Sequence, residues 1–161
     1  MERELENAFV AAVRLNRHRL YRVALSILRS PADAEDAVST ATEQTWKALP
    51  RIQDEDRLPV YLMRCTVNAA RAELRKRRKT EPLEDYQDTL AAPEAGTSVR
   101  EYVSGLKEKY RTPLILKYQE NMREKEIASI LHIPRGTVSS RIITLLKRIK
   151  AELLKEELDN D

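Results

Sequence analysis

The run EKEIASILHIPRGTVSSRIITLL occupies residues 124–146. Ile127, Ala128 and Leu131 recur at helical spacing in its first part. Val138, Ile142, Leu145 and Leu146 do so in its second, and Ile149 and Leu153 continue that inward period. Between the two parts, His132-Ile133-Pro134-Arg135-Gly136-Thr137 is a tight passage. A short helix, a brief turn and a longer helix with a basic outer face is the layout of a helix-turn-helix. Ala128 is small enough for two helices to approach closely, and Thr137 is predicted to cap the second helix. Ser139, Ser140, Arg141 and Thr144 are then expected to project outward near its start, beside Arg135. Lys147, Arg148 and Lys150 lie further along, where they can reach phosphate. A helical hairpin of purely structural use is the competing account. His132 reads as a surface or packing residue of the turn.

Upstream, the helical period already runs through Val99, Tyr102, Val103 and Leu106, then Tyr110, Leu114, Ile115, Leu116 and Tyr118. Pro113 is placed where it would open a helix. Before that lies a different kind of chain. Residues 81–100 hold one basic residue against five acidic ones, together with Pro82, Pro93 and Gly96. Such a segment buries too little apolar surface to offset its ordering entropy, so a flexible linker is expected over residues 80–98. It is either a solvated tether or a strand that lies in a partner's basic groove in imitation of nucleic acid. Basic lobes flank it: 16 Lys/Arg against 11 Asp/Glu in residues 1–80, and 12 against ten in residues 101–161.

The first lobe reads as three helices. Leu5, Phe9, Val10, Val13, Leu20, Val23, Ala24, Ile27 and Leu28 mark a helix over residues 2–29, with a break expected near Asn16. Ser30 then suits an N-cap, Pro31 a first helical position and Asp33 a capping box. That second helix runs to about Leu49 with Ala34, Ala37, Val38, Ala41 and Trp46 inward, and Pro50 closes it. Residues 51–57 are too polar for a helix. A third helix over residues 59–79 carries Arg64, Asn68, Arg71, Arg75 and Arg78 at spacings of four, three, four and three, within roughly 80° of one face. Leu58, Tyr61, Leu62, Cys65, Ala69 and Ala72 form a second arc, and Met63, Val67, Ala70 and Leu74 a third. Packed on two sides, this helix would show solvent one donor-rich stripe about 21 Å long, suited to tracking several phosphates. A solvated face is the alternative, but such faces ordinarily mix charge signs.

Composition supports this frame and excludes several classes. With 34% charged residues, three glycines and eight aromatics in 161 residues, sheets are short of material and an all-α protein of two small domains is expected. No apolar run approaches the roughly 20 residues that span a bilayer, and the amino terminus lacks a signal-peptide core, so no membrane insertion is expected. One cysteine and two distant histidines offer neither a disulfide framework nor a zinc site, and Cys65 reads as a buried, inert thiol. There is no P-loop or glycine-rich phosphate turn, so no cofactor and no enzyme is expected. A nuclease holding Mg²⁺ on Asp54 and Asp56 is the weakest reading, because metal-dependent phosphate chemistry needs carboxylates fixed in one geometry.

Taken together, the chain resembles the extracytoplasmic-function group of bacterial RNA polymerase sigma factors. Asp33-Ala34-Glu35-Asp36, Trp46-Lys47-Ala48-Leu49 and Tyr61-Leu62-Met63-Arg64 through Asn68 are similar to that family's region 2. Tyr110-Arg111 through Leu116, Glu126-Ile127-Ala128 and Ile133-Pro134-Arg135-Gly136-Thr137-Val138-Ser139-Ser140-Arg141 are similar to its region 4. The resemblance implies a cytoplasmic, non-enzymatic protein that binds core RNA polymerase and promoter DNA and is held by an anti-sigma factor. It divides the chain into residues 1–79 (region 2, core polymerase and the −10 element), 80–98 (linker) and 99–161 (region 4, the −35 element). It assigns Asp33, Glu35, Asp36, Ser39, Thr40 and Trp46 to the polymerase, and Arg64, Asn68, Arg71, Arg75 and Arg78 to the −10 side. Residues 52–56 would be a loop that receives an unstacked base. Arg135, Thr137, Ser139, Ser140, Arg141, Thr144 and Arg148 fall to the −35 side. The chain departs from the family pattern where Ser39, Thr40 and Thr42 replace a glutamine, an acid and an aromatic. Tyr61 and Ala72 also replace a tryptophan and an aspartate. An anchor lost from the polymerase interface implies, as the alternative, a sigma-like DNA-binding regulator or an anti-sigma decoy.

Overall fold

The computed structural model describes residues 2–80 and 96–159, which are helices joined by short turns and loops, with no strand among them. Two compact units result. The first holds α1 (Glu2–Leu28), α2 (Pro31–Ala48) and α3 (Leu58–Thr80); the second holds α4 (Val99–Gly105), α5 (Glu108–Tyr118), α6 (Glu124–Leu131) and α7 (Arg135–Asp159). Most of the acidic linker, residues 81–95, lies outside the described residues.

In the first unit all three helices pack on one another. Leu20, Val23, Ala24 and Ile27 of α1, Ala34 and Ala41 of α2, and Leu58, Leu62, Met63, Val67 and Ala70 of α3 make the core. Each large side chain so buried contributes on the order of 2 kcal/mol. Ser30 caps α2 as its position predicts: its backbone is extended and its hydroxyl accepts from the Asp33 N–H at 3.3 Å. The expected break at Asn16 is absent, because the buried amide bonds within its own helix. Nδ2 donates to the Ala12 carbonyl at 2.7 Å and Oδ1 accepts from Arg19 at 2.8 Å. Trp46 is also not inward: it is 47% exposed and leans on the Phe9 ring at 5.3 Å, while Thr45 takes the buried position. Thr45 and Thr66 stay buried by donating to the carbonyls four residues back, each at 2.8 Å. Val10, read as part of the inward period, is 45% exposed. The polar passage after α2 holds two single 3-10 turns, Leu49–Arg51 and Glu55–Arg57.

In the second unit Leu116, Ile127, Ile130, Val138, Ile142 and Leu145 are fully buried. Pro113 does not open a helix; it sits buried inside α5, which begins at Glu108. α7 begins at Arg135, before Thr137, so Thr137 is in the first turn and is no cap. The Pro134 carbonyl receives the Thr137 and Val138 N–H groups at 3.0 and 3.3 Å. Leu146 and Leu153, expected inward, are 40% and 45% exposed, because the packed seam of α7 follows Val138, Ile142 and Leu145 instead. With so few glycines, left-handed positions fall to other residues: Arg29, Asn121 and His132 have φ of 57°, 53° and 57°.

Candidate nucleic-acid interface

The arginine row of α3 is graded along its length. Arg64, Asn68 and Arg71 are half-buried, whereas Arg75 and Arg78 are exposed. Asn68 opens onto a groove between α2 and α3 that Asp33, Asp36, Thr40, Glu73 and Lys76 also line. Asn68 thus shares that groove with Asp33, Asp36 and Thr40, while Arg75, Arg78, Lys76 and Lys79 are exposed. Lys76 and Lys79 extend the basic end beyond the predicted row.

Arg77 has a different task, which the sequence reading missed. It donates to the Leu28 carbonyl at 2.7 Å and pairs with the Asp33 carboxylate. One guanidinium thus joins the end of α1 to the start of α2, and Asp33 is engaged inside the unit. The other predicted α2 residues, Glu35, Asp36, Ser39 and Thr40, are exposed, and Trp46 adds an exposed aromatic at the far end of that helix. Thr42 is half-buried and donates its hydroxyl to the Val38 carbonyl at 2.8 Å. In the loop before α3, Asp54 accepts from the Asp56 N–H at 3.0 Å and lies 3.9 Å from Arg57. Among the described residues no group of three acids, histidines or cysteines is placed to hold a metal ion. Burial pushes the Cys65 thiol above its ordinary pKa, partly offset by a hydrogen bond with Thr45.

The second unit presents the helix-turn-helix. His132 ends α6 in the left-handed conformation, and the Ile133 N–H closes on the Ala128 carbonyl at 3.1 Å. From there α7 starts with Arg135, Gly136, Ser140, Thr144, Lys147, Arg148 and Lys150 exposed. Three of the predicted contact residues do not project freely, Thr137 being half-buried in the first turn. Ser139 is half-buried and donates to Glu124, and Arg141, also half-buried, reaches the Lys109 carbonyl at 3.5 Å. Glu124 in turn receives Lys117 at 2.7 Å, so one carboxylate ties α5, α6 and α7 together. Those two bonds, Lys117 first and Ser139 second, hold the Glu124 carboxyl below its usual pKa. The bond to Glu124 raises Lys117 correspondingly. Ile143 was missed as a surface residue: although apolar, it is 51% exposed on the outer face of α7. Its place one residue beyond Ile142 was the available signal, since neighbours on a helix point about 100° apart.

Comparison with known proteins reads the same two units. Residues 12–80 match the model described as Sigma-70 region 2, and residues 97–149 the one described as Sigma-70, region 4. The RNA polymerase sigma-E factor of Streptomyces coelicolor is 29% identical over 158 residues, covering 94% of this chain and 89% of that protein. The ECF RNA polymerase sigma factor SigW of Bacillus subtilis is 25% identical over 157 residues, covering 85% and 84%. Among solved structures, the sigma factor RpoE in complex with the anti-sigma factor NepR from Bartonella quintana has the same fold. It gives a TM-score of 0.68 at 19% identity over 90% of this chain and 96% of that one. A region 2 unit followed by a region 4 unit, matched in that order across most of the sequence, makes this chain a member of the sigma-70 family, in its extracytoplasmic-function group.

Proposed function

We propose that this chain is an alternative sigma factor, a non-enzymatic subunit that binds core RNA polymerase in the cytoplasm and directs it to a set of promoters. The observation that carries this reading is the pair of matched regions, each with exposed cations on a helix of its unit: Arg75, Lys76, Arg78 and Lys79 at the end of α3, and Arg135, Lys147, Arg148 and Lys150 along α7. Residues 1–79 would serve the −10 side and the polymerase, residues 80–98 the connection, and residues 99–161 the −35 side. Within the first unit, Arg75 and Arg78 carry the phosphate contacts that water-exposed cations make best, with Arg64, Asn68 and Arg71 seated deeper. Glu35, Asp36, Ser39, Thr40 and Trp46 form the exposed α2 surface offered to the polymerase, with Asp33 setting its start. In the second unit, Arg135, Ser140, Thr144 and Arg148 face DNA, while Thr137, Ser139 and Arg141 act closer to the body of the domain. An anti-sigma protein is the expected inhibitor. The test is run-off transcription from a genomic promoter library with purified core polymerase. Promoter-dependent transcripts support the reading, and no binding to core polymerase at low salt overturns it.

The Thr42 hydroxyl, bonded to its own helix, favours a second reading. A sigma-like regulator or decoy would lack a polymerase anchor at that point. Thr42→Phe separates the two. A large gain in polymerase affinity marks a lost anchor and supports the regulator. Little gain shows that the exposed Trp46 surface suffices and supports the sigma factor.

A further inference from the structure

We propose that the −35-side head reads thymine methyl groups through Ile143, so that promoters of this protein carry thymine in the major groove opposite that side chain. This inference rests on the sigma-factor reading and deepens it by naming the base chemistry. Gly136, Ser140, Ile143, Thr144 and Lys147 are all exposed, and helical geometry places them within an arc of roughly 100°. Ile143 lies about 10 Å along the axis from Gly136, within the roughly 12 Å width of the major groove. Ile143 is 51% exposed and stands among exposed groups of the kind that engage DNA. Arg135 lies before it and Lys147 and Arg148 after it, each exposed and able to meet phosphate. Between these cations, the outer face offers Ser140 and Thr144 hydroxyls, the Thr144 methyl and the Ile143 side chain. It holds no arginine, asparagine or glutamine over Ser140, Ile143 and Thr144, so the bidentate contacts that select guanine or adenine are missing there. Of the groups that a base pair shows in the major groove, only the thymine C5 methyl is complementary to an aliphatic side chain.

The rest of the domain has the same bias. Ser139 and Arg141, which would compete for base edges, are turned to Glu124 and to the Lys109 carbonyl. Their positions flank the Ile143 face without entering it.

The experiment starts from the full chain bound to core polymerase and selects DNA from a random duplex pool. Single thymines of the enriched −35-side element are then replaced by deoxyuridine, which removes only the methyl group. The expected result is at least one position where uracil lowers affinity about fourfold, the order set by one buried methyl. In Ile143→Ser that penalty disappears, and binding to the thymine-containing element weakens by a similar factor. Ile143 is on the surface, so the variant folds, and helical circular dichroism checks this. An enriched element without thymine, a uracil that costs nothing, or an equal penalty in Ile143→Ser overturns the proposal. If no element is enriched and the polymerase is not bound, the sigma-factor reading itself fails, which is a different outcome.

Discussion

Ser139 on α7 donates its hydroxyl to Glu124, the first residue of α6, and that same carboxylate receives Lys117 from α5. The angle between the two helices of the head is thus held by one acid whose partners come from both neighbours. The Lys117 and Glu124 side chains are 31% and 19% exposed, so water screens the pair only in part.

The first prediction concerns this junction. Glu124→Gln should lower the stability of the second unit by about 1–2 kcal/mol at pH 7, since charge-assisted bonds become neutral ones. Because Glu124 is held below the ordinary carboxylate range, its contribution is complete above that range and is lost as the pH falls through its lowered pKa. Lys117 is raised, so its contribution is complete below the ordinary lysine range and is lost as the pH climbs through its raised value. The gap between wild type and Glu124→Gln, measured by denaturant titration, should therefore be widest near neutrality and begin to close once the pH falls into the ordinary carboxylate range. A gap that is constant with pH would rule out the electrostatic account.

Arg141 and Pro113 should be coupled. Pro113 has no N–H to donate to the Lys109 carbonyl four residues before it, and Arg141 reaches that carbonyl at 3.5 Å. Arg141→Ala should cost about 1 kcal/mol in the wild type and clearly less in a Pro113→Ala background, where the helix supplies its own donor. A double-mutant cycle with zero coupling would show that the long contact contributes nothing.

Arg77 should matter more for stability than its position in a basic run suggests. Arg77→Ala removes both the bond to the Leu28 carbonyl and the pair with Asp33, and should destabilise the first unit by about 2 kcal/mol. Arg78→Ala, one residue on and exposed, should change stability by less than about 0.5 kcal/mol. Thermal denaturation of the two variants distinguishes them.

For nucleic acid the order reverses. Arg75→Ala and Arg78→Ala should each reduce the slope of log affinity against log salt by about 0.7 for a single strand, measured with the polymerase complex. Arg77→Ala should leave that slope unchanged wherever the variant remains folded.

Much of this protein is legible in the sequence. Helical periodicity located α1, α2, α3, α6 and α7, because an amphipathic helix must repeat its apolar residues at its own pitch to bury them, whereas α5 buries the contiguous run 111–114 and its start was misread. The Ser30-Pro31-Ala32-Asp33 start was legible for a similar reason, since a cap is a contact between near neighbours. The helix-turn-helix layout and the basic stripe on α3 followed from spacing alone. Tertiary structure decided which polar side chains remain available. Arg77, Arg78 and Arg75 look alike along the chain, yet only Arg77 meets the end of one helix and the start of another. Ser139 and Arg141 look like reading residues until α6 and α5 bring the Glu124 carboxylate and the Lys109 carbonyl beside them. Trp46 and Leu146 fit the apolar period but stand at its margin, where the width of the packed seam determines exposure. Periodicity is a property of one helix and can be read from one segment. The partner of a long side chain is a property of two or three segments meeting in space, which no single stretch encodes.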